Sequence, residues 1–482
     1  MNSINFRYFD RRRPDTPTTY AALVLMLVMA GLDQTILSTA LSSITAALQG
    51  GDLASWVFSA YLLASTAVIS LYGKLADRFG VRPLLLFAIG MFMLGSLACA
   101  AAVNMPALIG GRALQGLGGG GLLTLTMLAV STLYPPDESP RRMGMLGTAY
   151  GIATLAGPLV GGVLLEGLAW PWVFLIQLPG TLVAFVVLSR SVFAPPQPAP
   201  HRLDLVGAAL LAAALISLLL AIRSVGAAGP ATSARVGPPI AAAVTGLLLL
   251  AWALVEWRAD DPIVPLALFR NRAYAAVSAL SVLSGFALFT AVVYLPIYLQ
   301  QGLGMGALAS AWHTLPLMLG ITVGGQVAGR ALRHGQMPRR LAIFGSAALV
   351  SGFLMLGVTL LRAHLHDWAL SAAVFPVGFG LGLLFPLVSV QARRCAPATH
   401  AGSATATPVM LRALGGALGV AWMGEILRRH MAHATLAGSL SRSDEVQALA
   451  QGVGMLFTWA ALAGVLALLV ACLLPAARPA GA

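Results

Sequence analysis

The chain is poor in charge. Only 9% of its 482 residues are Asp, Glu, Lys or Arg, against about 25% in a typical soluble domain. That deficit excludes an ordinary water-soluble globule. Lysine is nearly missing: Lys74 is the only one among 29 basic residues. A phosphate-cradling Gly-x-x-x-x-Gly-Lys-Ser/Thr loop needs a lysine in that setting, and no such loop surrounds Lys74, which excludes a nucleotide-driven pump. The 3 cysteines, Cys99, Cys395 and Cys472, are too few and too scattered for a disulfide framework or a metal site. Most of the 8 histidines fall in loops or at helix ends, with none at paired ligand spacing. A redox or metal-bearing membrane enzyme is therefore not expected, and neither a metal nor a cofactor is assigned. No loop resembles an ion-selectivity filter. Gly116-Leu117-Gly118-Gly119-Gly120-Gly121 satisfies G-x-G-x-x-G in letter, but it lies inside a long apolar segment with no strand before it, so it is not a dinucleotide site.

Hydrophobic residues make up 58% of the chain, and glycine is abundant at 52. A spanning helix takes roughly 20 mostly apolar residues, and by that rule about fourteen stretches qualify. They lie near 20–41, 55–75, 84–103, 106–133, 143–165, 172–192, 204–223, 237–257, 273–298, 308–331, 340–361, 368–391, 404–427 and 451–475. Arg11, Arg12 and Arg13 precede the first run, which is too long for the apolar core of a cleaved signal peptide and reads as the first span. The net charge of +13 sits in short loops between apolar runs rather than on one amphipathic face. This arrangement suits an anionic leaflet better than nucleic acid. With the N-terminus in the cytoplasm, roughly 21 basic residues fall inside, about six outside and two (Arg112 and Arg412) within helices. That bias selects cytoplasmic N- and C-termini.

A weak internal repeat is visible. The short basic loops after spans 2 and 10 (Gly73–Arg82, and Gly329-Arg330 followed by Gly335 and Arg339-Arg340) would fall at equivalent places in two six-helix halves. The expected organisation is a cytoplasmic tail at 1–19, a six-helix bundle at 20–192, a Pro-rich linker at 193–203, an extra helix pair at 204–258, a second bundle at 259–475 and a tail at 476–482.

Ionisable side chains inside apolar runs are the candidate site residues. A carboxylate at a helix centre costs about 2.5–3.5 kcal/mol on insertion scales, so Asp33 in the first span needs a reason to be there. An apolar setting disfavours its charged form and opens the way to proton uptake near neutral pH. Arg112, in the fourth span, is a permanent cation that either satisfies carbonyls between helices or modulates a nearby acid. Glu425 lies near the end of its span, where Arg428 and Arg429 offer plain surface pairing as the alternative to a second proton site. Trp312 and His313 open the tenth span, where an interfacial belt position competes with substrate contact. The glycines of the fifth span allow close helix packing.

Several segments recur in a recognisable order. Gly73-Lys74-Leu75-Ala76-Asp77-Arg78-Phe79-Gly80-Val81-Arg82 is similar to motif A of the major facilitator superfamily. Arg112-Ala113-Leu114-Gln115-Gly116-Leu117-Gly118 is similar to motif B. Gly147, Gly151, Gly157-Pro158 and Gly161-Gly162 are similar to motif C, the antiporter signature. Leu32-Asp33-Gln34-Thr35-Ile36, Leu268-Phe269-Arg270-Asn271-Arg272, Tyr294-Leu295-Pro296 to Gln300, and Arg412-Ala413-Leu414-Gly415-Gly416 to Gly419 complete the set. Together they resemble the 14-spanner drug:proton antiporters of the multidrug-resistance B and quaternary-ammonium-resistance type, over roughly residues 18–475.

The resemblance implies an all-α polytopic membrane protein with the major facilitator fold, two six-helix bundles plus two extra central helices. It implies no enzyme but a proton-coupled secondary efflux antiporter of the cell (inner) membrane, exporting amphipathic or cationic drugs by alternating access. An exporter of the same fold dedicated to one metabolite, siderophore or antibiotic is the alternative. Its partners are a small amphipathic substrate, protons and the bilayer, with a periplasmic adaptor protein as a further candidate. Within that frame Asp33, Arg112 and Glu425 are the proton-coupling candidates, with Arg112 packed close to the first helix. Gly73, Asp77, Arg78, Gly80, Arg82, Gly157, Pro158, Gly161 and Gly162 are the gating candidates. Gln34, Gln115, Tyr150, Tyr294, Trp312, His313 and Arg412 are the substrate-binding candidates, with Arg412 read first as a structural or gating residue. The chain departs from the usual pattern at Ser38 and Ser42, where Asn and Pro are usual, at Pro171, where Arg is usual, and at Gln177, where Asn is usual.

Overall fold

The computed structural model describes residues 16–50, 53–134, 138–191, 205–226, 233–258, 266–333, 338–361, 367–395, 401–436 and 441–474. Among the described residues the ordered elements are all helical: α1 (Thr16–Ala47), α2 (Ala54–Phe79), α3 (Val81–Ala100), α4 (Met105–Leu133), α5 (Ser139–Gly167), α6 (Trp172–Leu175), α7 (Gln177–Arg190), α8 (Leu205–Gly226), α9 (Ser233–Arg258), α10 (Arg272–Ile297), α11 (Ala307–Arg333), α12 (Pro338–Leu361), α13 (Asp367–Arg394), α14 (Ala401–Leu436) and α15 (Arg442–Cys472). A helix is the natural state of an apolar chain in lipid, because it satisfies its backbone groups internally. Among the described residues, 11 helices are long and apolar enough to cross a membrane. The expected spans at 55–75, 204–223 and 237–257 correspond to α2, α8 and α9, which fall outside that set; α2 and α8 contain the shorter apolar stretches Ala54–Ile69 and Ala209–Leu218.

Local chemistry sets several boundaries. Asn104 accepts a hydrogen bond from the Ala107 amide at 2.8 Å and starts α4, with Pro106 in the first turn. Ser441 and Asp444 form a reciprocal capping box at the start of α15. Gly80 takes φ 88°, a conformation that favours glycine, and it alone separates α2 from α3. The segment expected as a polar loop, 73–82, is therefore helical up to Phe79 and resumes as helix at Val81. The expected sixth span is also interrupted, between α6 and α7 at Ile176. Pro179 has no amide to return to the Leu175 carbonyl, so the helical ladder breaks there.

The packing partners recur in the two parts of the chain. In the first, α1 packs on α5 and α7, α4 on α2 and α3, and α3 on α7; in the second, α10 packs on α14 and α15, α13 on α11 and α12, and α12 on α15. The two groups meet through α2 with α14 and α5 with α11, which are equivalent pairs under the same correspondence. Helices α8 and α9 pack on each other, tied by a 2.9 Å bond between the Ser217 and Thr245 hydroxyls, and α8 leans on α2 and α14. Outward faces are apolar: Trp459, Leu462, Leu466, Leu469 and Leu473 form one stripe along α15 and its end, between 49% and 75% exposed. Such a stripe matches a hydrocarbon environment.

Candidate functional site

Asp33 sits mid-way along α1 and Arg112 two turns into α4. Both side chains are 1% exposed, and Arg112 Nη1 lies 3.1 Å from each Asp33 carboxylate oxygen. The ion pair is thus completed rather than left as two unpaired charges, whose separate burial is prohibitive. Gln115, one turn beyond Arg112 and on the same face, donates from Nε2 to Asp33 Oδ1 at 3.0 Å and to the Ser96 hydroxyl at 2.8 Å. Its carbonyl oxygen accepts from Arg112. Gln177, the first residue of α7, also donates to Asp33 Oδ1 at 3.0 Å. Arg112 Nε donates to the Val57 carbonyl at 3.3 Å, and its guanidinium lies 4.3 Å from the Tyr61 ring centroid, a cation–π placement. Helices α1, α2, α3, α4 and α7 therefore converge on one carboxylate.

Next to Asp33 the chain turns toward α5. Gln34 accepts a 2.7 Å hydrogen bond from the Tyr150 hydroxyl. The Thr35 hydroxyl donates to the Thr154 carbonyl at 3.0 Å. Gly157 and Gly161 face α1, where a side chain at either would meet Thr35, Ile36 or Thr39. Gly162 faces α11 instead; a Cβ there would stand 2.7 Å from the Leu308 Cα. Pro158 is buried within α5.

The candidates from the second part are spread out. Arg412 of α14 stacks on Phe385 of α13 at 4.6 Å and lies within electrostatic reach of the Tyr150 hydroxyl, which also feels Asp33. Tyr294 donates to the Val420 carbonyl at 2.6 Å and ties α10 to α14. His313 bonds through Nδ1 to the Ser371 hydroxyl at 2.6 Å, joining α11 to α13. Trp312 is 60% exposed. Glu425 is not brought to the Asp33 cluster; it pairs on its own helix with Arg428 at 2.9 Å and Arg429 at 2.7 Å. Gly73, Asp77 and Arg78 lie in α2, with their side chains outside the described residues, as are the linker and much of the tails. Arg82 donates to the Ser189 carbonyl, fastening the start of α3 to the end of α7.

The two groups of helices close on each other at one end, where α1 and α5 finish and α2 and α11 begin. Gln300, in the π-helical turn Tyr298–Gly302 after α10, donates to the Thr39 carbonyl at 3.1 Å. Ser59 donates to the Ala417 carbonyl at 3.3 Å, and a Cβ on Gly424 would lie 2.9 Å from that of Ser55. With Gly162 against Leu308, every one of these links crosses from the first group to the second.

Long apolar helices around a sealed ion pair, repeated in two equivalent groups, define a polytopic membrane protein of the secondary-transporter type of fold. The family model described as Major Facilitator Superfamily matches residues 23–420. The chain belongs to that superfamily. It is 30% identical over 417 residues to Multidrug resistance protein 3 of Bacillus subtilis (strain 168), covering 86% of this chain and 80% of that protein. It is 29% identical to Multidrug transporter protein MdtP of the same organism, covering 84% and 74%. Efflux pump FUS6 of Gibberella fujikuroi is 31% identical, with 90% and 78% covered. Among solved structures, a bacterial homologue of the human lysosomal transporter Spinster, in an inward-facing and unoccupied conformation, aligns with TM-score 0.66 at 14% identity, covering 98% of this chain and all (100%) of that one. The D-xylose-proton symporter aligns with TM-score 0.64 at 15% identity, covering 92% and 95%. At these identities the structures speak for the fold alone.

Sequence reasoning overlooked Gln177 and Ser96 as members of the Asp33 cluster. Gln177 stood out only as a departure from the family pattern; Ser96 gave no signal at all.

Proposed function

We propose that this protein is a proton-coupled efflux antiporter that carries amphipathic molecules out of the cell by alternating access. The observation that carries the reading is the Asp33–Arg112 pair, a buried ion pair held at the meeting point of five helices. In this reading Asp33 is the proton carrier. Protonation removes its charge, releases Arg112 and loosens the hydrogen bonds that α4 and α7 make to α1. The relatives named as multidrug and efflux proteins support an outward direction of transport.

The chain then crosses the cell (inner) membrane about fourteen times, with both termini in the cytoplasm, as two six-helix bundles with α8 and α9 as an added pair. The closed end of the bundle is the outer end in this orientation, so the described conformation opens inward. Motif A at the α2–α3 junction and the Gly-Pro stretch of α5 act in the switch. Gln34 and Tyr150 border the compartment that receives substrate.

The test uses purified protein in liposomes with an imposed acid gradient and a panel of fluorescent amphipaths. Wild type is expected to move dye only with the gradient, and Asp33→Asn to lose that response while still inserting. Transport by wild type that ignores the gradient, or full coupling in Asp33→Asn, overturns the reading.

A further inference from the structure

The charges at the centre of the protein do not balance. Asp33 and Arg112 neutralise each other. Among the described residues the fully buried charged side chains are Asp33, Arg112 and Glu256, and Glu256 belongs to α9, outside the two repeated helix groups. Glu425 is taken up by Arg428 and Arg429. That leaves Arg412. Among the described residues its guanidinium has neither an ion-pair nor a hydrogen-bond partner; it lies over the Phe385 ring, 4.6 Å from the centroid. Stacking of this kind holds the guanidinium plane and leaves its N–H edges free. The residue is partly exposed rather than sealed, and it lies within electrostatic reach of Tyr150 of α5. Tyr150 in turn is fixed by Gln34, next to Asp33.

An arginine inside a membrane protein that lacks a partner marks a site for something else. Its five donors in a planar fork fit a carboxylate in two-point fashion. Resting on the export reading above, we propose that Arg412 is the head-group subsite of the central compartment and selects amphipathic molecules bearing an acidic, anionic group, above all a carboxylate, over the cationic ones that the family resemblance implies. Gln34 and Tyr150 supply neutral polar contacts on the facing wall, and Phe385 borders the apolar part. An acidic cargo agrees with proton exchange: an anion leaving and a proton entering an inside-negative compartment both run with the membrane potential.

Three probes of one skeleton separate the possibilities: 11-(dansylamino)undecanoic acid, its primary amide, and the matching trimethylammonium compound. Binding to detergent-purified protein is followed by dansyl fluorescence, and transport in liposomes under an acid gradient. Wild type is expected to favour the acid over both analogues by about tenfold or more, the usual scale for a charge-assisted hydrogen bond. Arg412→Gln is expected to abolish the preference while still moving the amide, Arg412→Lys to keep part of it, and Arg412→Glu to turn it toward the ammonium probe. Equal binding of all three by wild type, a wild-type preference for the cation, or an acid preference that survives Arg412→Gln overturns the proposal. If the acid binds in an Arg412-dependent way but no probe moves, the head-group subsite stands and the export reading falls. If all three move with the gradient and no acid preference appears, export stands and the subsite falls.

Discussion

The Thr35 hydroxyl of α1 donates to the Thr154 carbonyl of α5, and Pro158 is the reason that carbonyl is available. Thr154 lies four residues before Pro158, where an ordinary residue would supply the helix's own amide; proline has none. The Gly157-Pro158 stretch and the Asp33-bearing segment are thereby stitched together by one hydrogen bond, two residues from the ion pair.

Thr35→Val keeps the shape and removes the donor. The part-buried Thr154 carbonyl then loses that donor, at a cost of about 1 kcal/mol. A lower thermal midpoint in detergent is expected for Thr35→Val, with part of it recovered in Thr35→Val/Pro158→Ala, where an alanine amide can serve Thr154. A double variant no more stable than Thr35→Val contradicts this account.

Breaking the ion pair is expected to be worse than removing it. Asp33→Asn leaves Arg112 as an unmatched buried cation, a change that destabilises soluble proteins by about 3–5 kcal/mol. Asp33→Asn/Arg112→Gln is expected to regain thermal stability over Asp33→Asn alone without regaining gradient-driven transport. Stability and coupling that return together in the double variant would separate the pair from the proton step.

Gln115 and Gln177 each donate to Asp33 Oδ1. Gln177→Leu keeps the bulk and removes one of these donors, so a lower thermal midpoint in detergent is expected, on the scale of about 1.5–3 kcal/mol for a hydrogen bond to a charged group. A midpoint that stays in place excludes Gln177 from holding α7 to α1.

Ser55 and Gly424 approach closely across the two helix groups. In a background where Cys99, Cys395 and Cys472 are replaced by serine or alanine, Ser55→Cys/Gly424→Cys is expected to cross-link under mild oxidation and to arrest transport. Reductant is expected to restore it. A cross-linked protein that still turns over rules out opening at that end. Gly162→Val, which pushes a side chain into Leu308, is expected to weaken closure at the same end and slow transport.

The resemblance implied that Arg112 packs close to the first helix, which carries Asp33, and the structure brings the two side chains together. Gln115 stood out in the sequence as a substrate-binding candidate, whereas the structure buries it in the Asp33 cluster, three residues from Arg112 and on its face. The pairing of Glu425 with Arg428 and Arg429 also follows helical spacing, and the structure brings out that plain reading. Gln177 escaped notice since a neutral amide at a helix start carries no cost that demands explanation. The Thr35–Thr154 bond needed the register of α1 against α5, which one sequence does not encode openly, although Pro158 announced a free carbonyl. The junction at 73–82 was read as a loop on account of its polar residues. Leu75, Ala76 and Phe79 sustain the helix, and the turn is left to Gly80 alone.

The enclosure of Asp33 has a kinetic consequence. A carboxylate with 1% exposure cannot meet hydronium until its surroundings part. In the exchange cycle proposed above, the tempo then follows the viscosity and order of the lipid, not how fast acid diffuses to the surface. Heavy water is expected to slow turnover little, whereas a colder or more rigid bilayer is expected to slow it steeply.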